Sequence, residues 1–208
     1  MSDREPGGGR VLELIAVLLL GITTVGTAWC GLQAAQWNGR SSDLAQIASQ
    51  RQTEAARLFG LATQRVSYDS TVAAKYAEAS QQGNAALTQF YRRSVVRPDF
   101  LPVLDRWEAA VRAGDAAVGA FQDQAYLTAQ FADYTKATTE ALQASDESRQ
   151  AGEIANGYVA TTIMLAVALF FAGVTSSFRH RPARVLLLLA ALAATTFAAA
   201  RLAGFPVS

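Results

Sequence analysis

The sequence predicts an all-α integral membrane protein with three transmembrane helices and an antiparallel helical bundle inserted between the first and second. Three observations carry that reading. Hydrophobic residues make up 51% of the 208 positions, and they are concentrated in three blocks. Between the first two blocks the chain is polar, with apolar residues recurring at helical spacing. No stretch alternates with the period of two that a half-buried strand requires.

The first block carries no charge between Glu13 and Arg40. A second uncharged stretch runs from Ile154 to Phe178. Crossing the hydrocarbon core as a helix takes roughly 20 apolar residues, and both blocks reach that length. The third, Val185 to Ala200, is bracketed by Arg184 and Arg201 and extended by the apolar residues after Leu202. Arginine stems can snorkel to the headgroups, and Leu186–Leu189 with Ala190–Ala194 leave no polar face for an interfacial helix. A cleaved leader is not expected, because the first apolar run exceeds the usual h-region of about 7–15 residues. A lipoprotein anchor at Cys30 is not expected either, since bulky Trp29 precedes it.

These blocks divide the chain into a cytoplasmic tail (1–10), a first span (11–37), an extracytoplasmic helical bundle (38–153) and a second span (154–178). A basic cytoplasmic loop (179–184), a third span (185–204) and a C-terminal tail (205–208) complete it. Arg179, Arg181 and Arg184 make the loop basic and acid-free, which places it in the cytoplasm by the positive-inside rule and beside lipid headgroups. The central segment then lies outside, and its 12 Lys+Arg against 14 Asp+Glu from Arg40 to Glu153 suit that side. Gly7-Gly8-Gly9-Arg10 lacks the Lys-Ser/Thr ending of a phosphate loop and reads as tail.

Past Trp37, expected near the membrane surface, Leu44, Ile47, Ala55, Leu58, Ala62, Val66, Val72, Tyr76 and Ala79 recur at spacings built from three and four. That is the period of a helix, or of a coiled coil, packing one stripe. Arg51 and Asp69 interrupt the stripe, and the absence of Pro lets the first span run on into this helix. Gly83-Asn84 is the expected stop. A short helix Ala85–Val96 comes next, then one from Asp99 to Ala113 after Pro98, and Ala116–Gln124 reads as loop. The last helix starts near Ala125, buries Leu127, Phe131, Tyr134, Thr138, Ala141 and Leu142, and continues into the second span.

Candidate chemistry is sparse. A lone histidine, His180, and a lone cysteine, Cys30, supply neither a metal site nor a nucleophile–base pair, so no enzyme and no cofactor is expected. The net charge of +1 gives no field for nucleic acid. Asp146, Glu147 and Glu153 lack a second ligand cluster. Arg92, Arg93 and Arg97 form the dense basic cluster outside the spans, suited to an anion or a partner's carboxylates, or to pairing with Asp99, Asp105 or Glu108. Phe90, Tyr91, Phe100 and Trp107 read as core. Small residues at four-residue spacing point to helix packing: Thr23, Thr27, Gly31 and Ala35 in the first span, Ala168, Ala172 and Ser176 in the second, and Ala190, Ala194 and Ala198 in the third. The partner helix is either in the same chain or in another copy.

Thr27-Ala28-Trp29 through Gln36-Trp37, Arg97-Pro98-Asp99-Phe100-Leu101-Pro102 before Trp107, and Phe170-Phe171-Ala172-Gly173 resemble a group of uncharacterised bacterial inner-membrane proteins with this plan. The resemblance implies a helical fold in that membrane and brings no activity. The order of span, bundle and span is also similar to the sensory half of chemoreceptor-like proteins, although a third span stands here in place of a cytoplasmic module. The function expected is that of a non-enzymatic accessory or sensor-like protein whose exterior bundle binds a protein partner or ligand. Its partners are the lipid bilayer and either itself or another membrane protein. The alternative is a homo-oligomeric pore or transport component lined by Thr23, Thr27, Thr161, Thr162, Thr195 and Thr196.

Overall fold

A computed structural model of the chain describes residues 7–114, 123–178 and 180–207, and these are helical, with no strand among them. Helix α1 runs unbroken from Gly7 to Gln81. It starts earlier than expected, taking in the glycines read as tail, because extending an established helix adds one hydrogen bond for each residue fixed. Its end lies where the sequence places it. Gly83 takes φ +69°, a left-handed conformation that a side chain disfavours, and the Asn84 side chain caps α2 (Ala85–Phe90) through the Leu87 amide.

The predicted helix Ala85–Val96 is not uniform. After Phe90 the chain widens into one π turn, Tyr91–Val95, closed by the Val96 amide on the Tyr91 carbonyl at 2.8 Å. Val96 and Arg97 are extended, as Pro98 requires of its predecessor. A single 3₁₀ turn, Pro98–Phe100, then leads into α3 (Leu101–Arg112), and Gly114 comes after it at φ +86°. The expected loop from Ala116 lies outside the described residues as far as 122. At Gln124, counted in that loop, α4 (Gln124–Gln130) has already begun. The chain breaks at Phe131 and resumes as α5 (Ala132–Val174), so the last helix is two pieces. A 3₁₀ turn, Thr175–Ser177, precedes α6 (Arg181–Leu202).

Asp123 caps α4, accepting from the Tyr126 amide at 2.9 Å and from Arg106 Nε at 2.8 Å. The amide bond, and after it the guanidinium, holds its carboxyl below the usual range. A folded-state pKa below the unfolded one near ~3.9 means stabilisation above that pH, lost as pH falls through the folded value. Asp123→Ala is expected to cost about 1 kcal/mol at neutral pH. In unfolding titrations the gap between variant and parent should close below about pH 4; a gap that persists in acid would assign it to packing.

Among the described residues, three helices are long and apolar enough to cross a membrane: α1 through its N-terminal part, α5 and α6. The chain divides into two compact units, one of residues up to Gln46 and from Ala144, the other Ile47–Gln143. In the first, α1 and α5 run antiparallel. Leu19 clusters with Ala172, Leu188 and Ala191, while Cys30, Ala34 and Trp37 cluster with Ala151, Ala155, Tyr158 and Ala198. Ser41 and Ser148 clasp the two helices, each hydroxyl donating to the other's carbonyl at 2.9 and 2.8 Å.

Two series of buried positions in this unit recur every seven residues, Thr23, Cys30 and Trp37 on α1 and Ala144, Ala151, Tyr158, Leu165 and Ala172 on α5, with Leu19, Ala34, Ala155 and Ala168 buried beside them. A four-residue stripe is therefore too steep for this contact. Thr23, Ala168 and Ala172 are buried and Thr27 is half-buried, whereas Gly31 and Ala35 are exposed, with nothing within 4 Å of a Cβ built on Gly31. A four-residue step advances the face by about 40° each time, so a strict stripe leaves a straight contact within three steps, while a seven-residue repeat stays close to it. On α6, Ala198 is buried and Ala190 and Ala194 are half-buried.

The C-terminal residues are not a free tail. Phe205 lies over Gly157, where a Cβ would come within 2.7 Å of its ring, and stacks against Tyr158 at 5.3 Å. The Pro206 carbonyl accepts from Tyr158 Oη at 3.1 Å and Trp37 Nε1 at 3.2 Å. Trp37, expected near the membrane surface, is thus buried.

Candidate functional site

The second unit is built on the far part of α1, where Ala55, Ala62, Asp69 and Tyr76 are buried at seven-residue intervals. Ile47, placed on this stripe by sequence, is 45% exposed; on α5, Leu142 is 63% exposed, and Ala137 is buried. The core joins Val72, Ala73 and Tyr76 to Val96, Phe100, Val103, Leu104 and Tyr126. Phe100 is buried and Tyr91 and Trp107 half-buried, as expected of core, but Phe90 is 54% exposed at the end of α2, a helix that buries none of its residues.

Asp69 occupies a core position of the seam and is 1% exposed. A carboxylate removed from water to that degree must be paired, and here three groups meet it. Arg97 Nε donates to Oδ1 at 3.0 Å, its Nη2 donates to Oδ2 at 2.6 Å, and the Tyr126 hydroxyl donates to Oδ2. The carboxylate drives the Arg97 pKa upward; burial, then the same carboxylate, drives that of Tyr126 upward. Arg97 therefore keeps its charge and Tyr126 its proton.

Local backbone puts Arg97 there. The π turn and the extended pair before Pro98 bring the guanidinium back toward α1, and Tyr68 Oη donates to the Val95 carbonyl at 2.9 Å, fastening the turn to the same helix. Single π turns inside helices recur at functional sites. Beside the ion pair lies a surface pocket of about 320 Å³ lined by Gln64, Arg65, Tyr68 and Arg97.

The basic cluster is thus split. Arg92 pairs with Asp105 and, at 3.2 Å, with Glu108, which also accepts from Tyr76 and, at 3.1 Å, from Arg112. Those are two of the acids expected as partners. Arg97 goes instead to Asp69, and Arg93 is exposed with no ion pair among the described residues. A second pocket, of about 600 Å³, lies over Tyr76, Thr88, Arg92 and Glu108, but its charges are already matched to one another.

Sequence reasoning missed Asp69 and Tyr126. The signal was present in the stripe itself: an acid on a buried seam needs a cation, and Arg97 stands where Pro98 forbids helix. Elsewhere, Arg184 pairs with Glu13 at 3.4 Å, Arg181 is exposed, and Arg179 lies outside the described residues. Among the described residues no three His, Cys, Asp or Glu gather as metal ligands; Asp146 pairs with Arg149 at 2.8 Å. The threonines proposed as a polar lining donate to their own helix, Thr23 to Leu19, Thr27 to Thr23, Thr161 to Gly157, Thr162 to Tyr158, Thr195 to Ala191 and Thr196 to Leu192. No known family, curated protein or solved structure matches the chain.

Proposed function

We propose that the protein is a non-enzymatic, membrane-anchored accessory or sensor-like protein whose Ile47–Gln143 unit binds a ligand or protein partner outside a bacterial plasma membrane. The observation that carries the reading is the Asp69–Arg97–Tyr126 cluster beside an open pocket. A buried ion pair is a poor device for stability, since apolar residues of similar volume commonly do as well. It is a good device for holding a guanidinium in one place.

In the membrane, the apolar parts of α1, α5 and α6 cross the bilayer, with the basic start of α6 at Arg181 and Arg184 inside and the Ile47–Gln143 unit outside as an antiparallel bundle. Large apolar side chains such as Leu14, Leu18, Ile163, Phe170 and Leu186 are exposed along these helices, as lipid-facing positions would be. The seven-residue seams support coiled-coil packing, and the exposed face of Gly31 and Ala35 is open to a second copy or another membrane protein. A pore has less support, because its threonine hydroxyls are already bonded to their own backbone.

The test is extraction from native membranes in mild detergent, native mass determination and identification of the proteins and ligands that co-purify, with flux assays in liposomes. A stoichiometric foreign component and no ion flux are expected. A homogeneous oligomer of this chain alone that conducts ions would overturn the reading.

A further inference from the structure

We propose that the pocket bounded by Gln64, Arg65, Tyr68 and Arg97 binds a small organic monoanion, a carboxylate carried on an apolar body. The inference rests on the ligand-binding reading above and names the class of ligand.

Charge comes first. Arg97 is matched by Asp69, whereas Arg65 has no ion pair among the described residues, so the pocket carries one uncompensated positive charge. That balance suits a monoanion better than a dianion. Geometry comes second. Asp69 engages Nε and Nη2 of Arg97, leaving the Nη1 side of the guanidinium, in a side chain still 24% exposed, for another acceptor. Two guanidinium groups lining one small pocket match the planar, bidentate demand of a carboxylate. Gln64 adds a neutral amide at the same wall.

Shape comes third. Tyr68 is 46% exposed, yet its hydroxyl is committed to the Val95 carbonyl. Its contribution to the pocket is therefore the ring, an apolar surface beside two cations. A volume of about 320 Å³ is at the small end for ligand sites and fits a body of one ring or a short aliphatic chain.

The experiment uses the full-length chain in mild detergent and titrates benzoate and hexanoate by calorimetry, with benzamide, hexanamide and inorganic phosphate as comparisons. Saturable binding of at least one carboxylate is expected, with its amide and phosphate at least about tenfold weaker. Arg65→Gln, at an exposed position, should weaken that carboxylate about tenfold, and Arg93→Gln should leave it unchanged. Three results would overturn the proposal: no carboxylate binding up to roughly 10 mM, an amide or phosphate that binds as well, or an Arg65→Gln protein that binds like the parent. Co-purification and flux read the wider function separately, so the ligand class can fail while the accessory role stands, and the reverse.

Discussion

Replacing Asp69 by Ala is expected to lower stability by about 3 kcal/mol, measured as a shift in the denaturant midpoint of the detergent-solubilised chain. The carboxylate is 1% exposed, and its removal leaves the Arg97 guanidinium without a counter-charge and the Tyr126 hydroxyl without an acceptor. The lower end of the range for broken buried pairs applies, because the Arg97 side chain is 24% exposed and water can reach part of it. Asp69→Asn should lose nearly as much, since an amide restores shape but not charge.

The pair of changes Asp69→Leu with Arg97→Met should recover most of the loss, because the desolvation of both ions disappears with their attraction. If Asp69→Ala unfolds at the same midpoint as the parent, the ion pair neither organises this core nor positions Arg97. If the double change is as damaging as the single one, the two side chains contribute packing rather than charge.

Tyr158→Ala should have the second large effect, also about 3 kcal/mol, and it tests the other unit. The ring is fully buried, meets Trp29 edge-on at 5.8 Å and Phe205 at 5.3 Å, and its hydroxyl donates to Pro206. Truncation leaves a cavity where Phe205 was held and removes one of the two donors on the Pro206 carbonyl. Tyr158→Phe keeps the rings and loses only the hydrogen bond, for about 1 kcal/mol. The Phe205 amide, which donates to the Leu202 carbonyl at 3.1 Å, should exchange its hydrogen faster in the Ala variant. Equal stability and equal exchange would mean that the C-terminal residues do not dock on α5.

The parts of this architecture legible in the sequence are those governed by local chemistry. Gly83-Asn84 ends a helix because glycine tolerates positive φ and asparagine caps the next one. Pro98 straightens Arg97. The three apolar helices arise from run length alone. The faces of the helices were only partly legible. The stripe through Ala55, Ala62, Val72, Tyr76 and Ala79 is buried as predicted, yet Ile47, Leu142 and Gly31 are exposed. One residue of register on a helix is a rotation of about 100°, and counting threes and fours does not reveal where the seam drifts. The π turn was not legible at all, since nothing in Tyr91–Val95 sets it apart from ordinary helix.

The sequence by itself determined that the chain is helical, that three of its helices have the length and apolarity of a span, and that helices stop at Gly83-Asn84 and before Pro98. Those properties depend on propensity, run length and residues a few positions apart. Only the tertiary structure decided that Asp69 meets Arg97 and Tyr126, that Arg92 goes to Asp105 and Glu108 instead, and that Pro206 receives Trp37 and Tyr158. Each of these joins residues far apart in the chain. Which acid a given arginine reaches depends on the rotation of two helices and on a single widened turn, and neither is encoded within a short window.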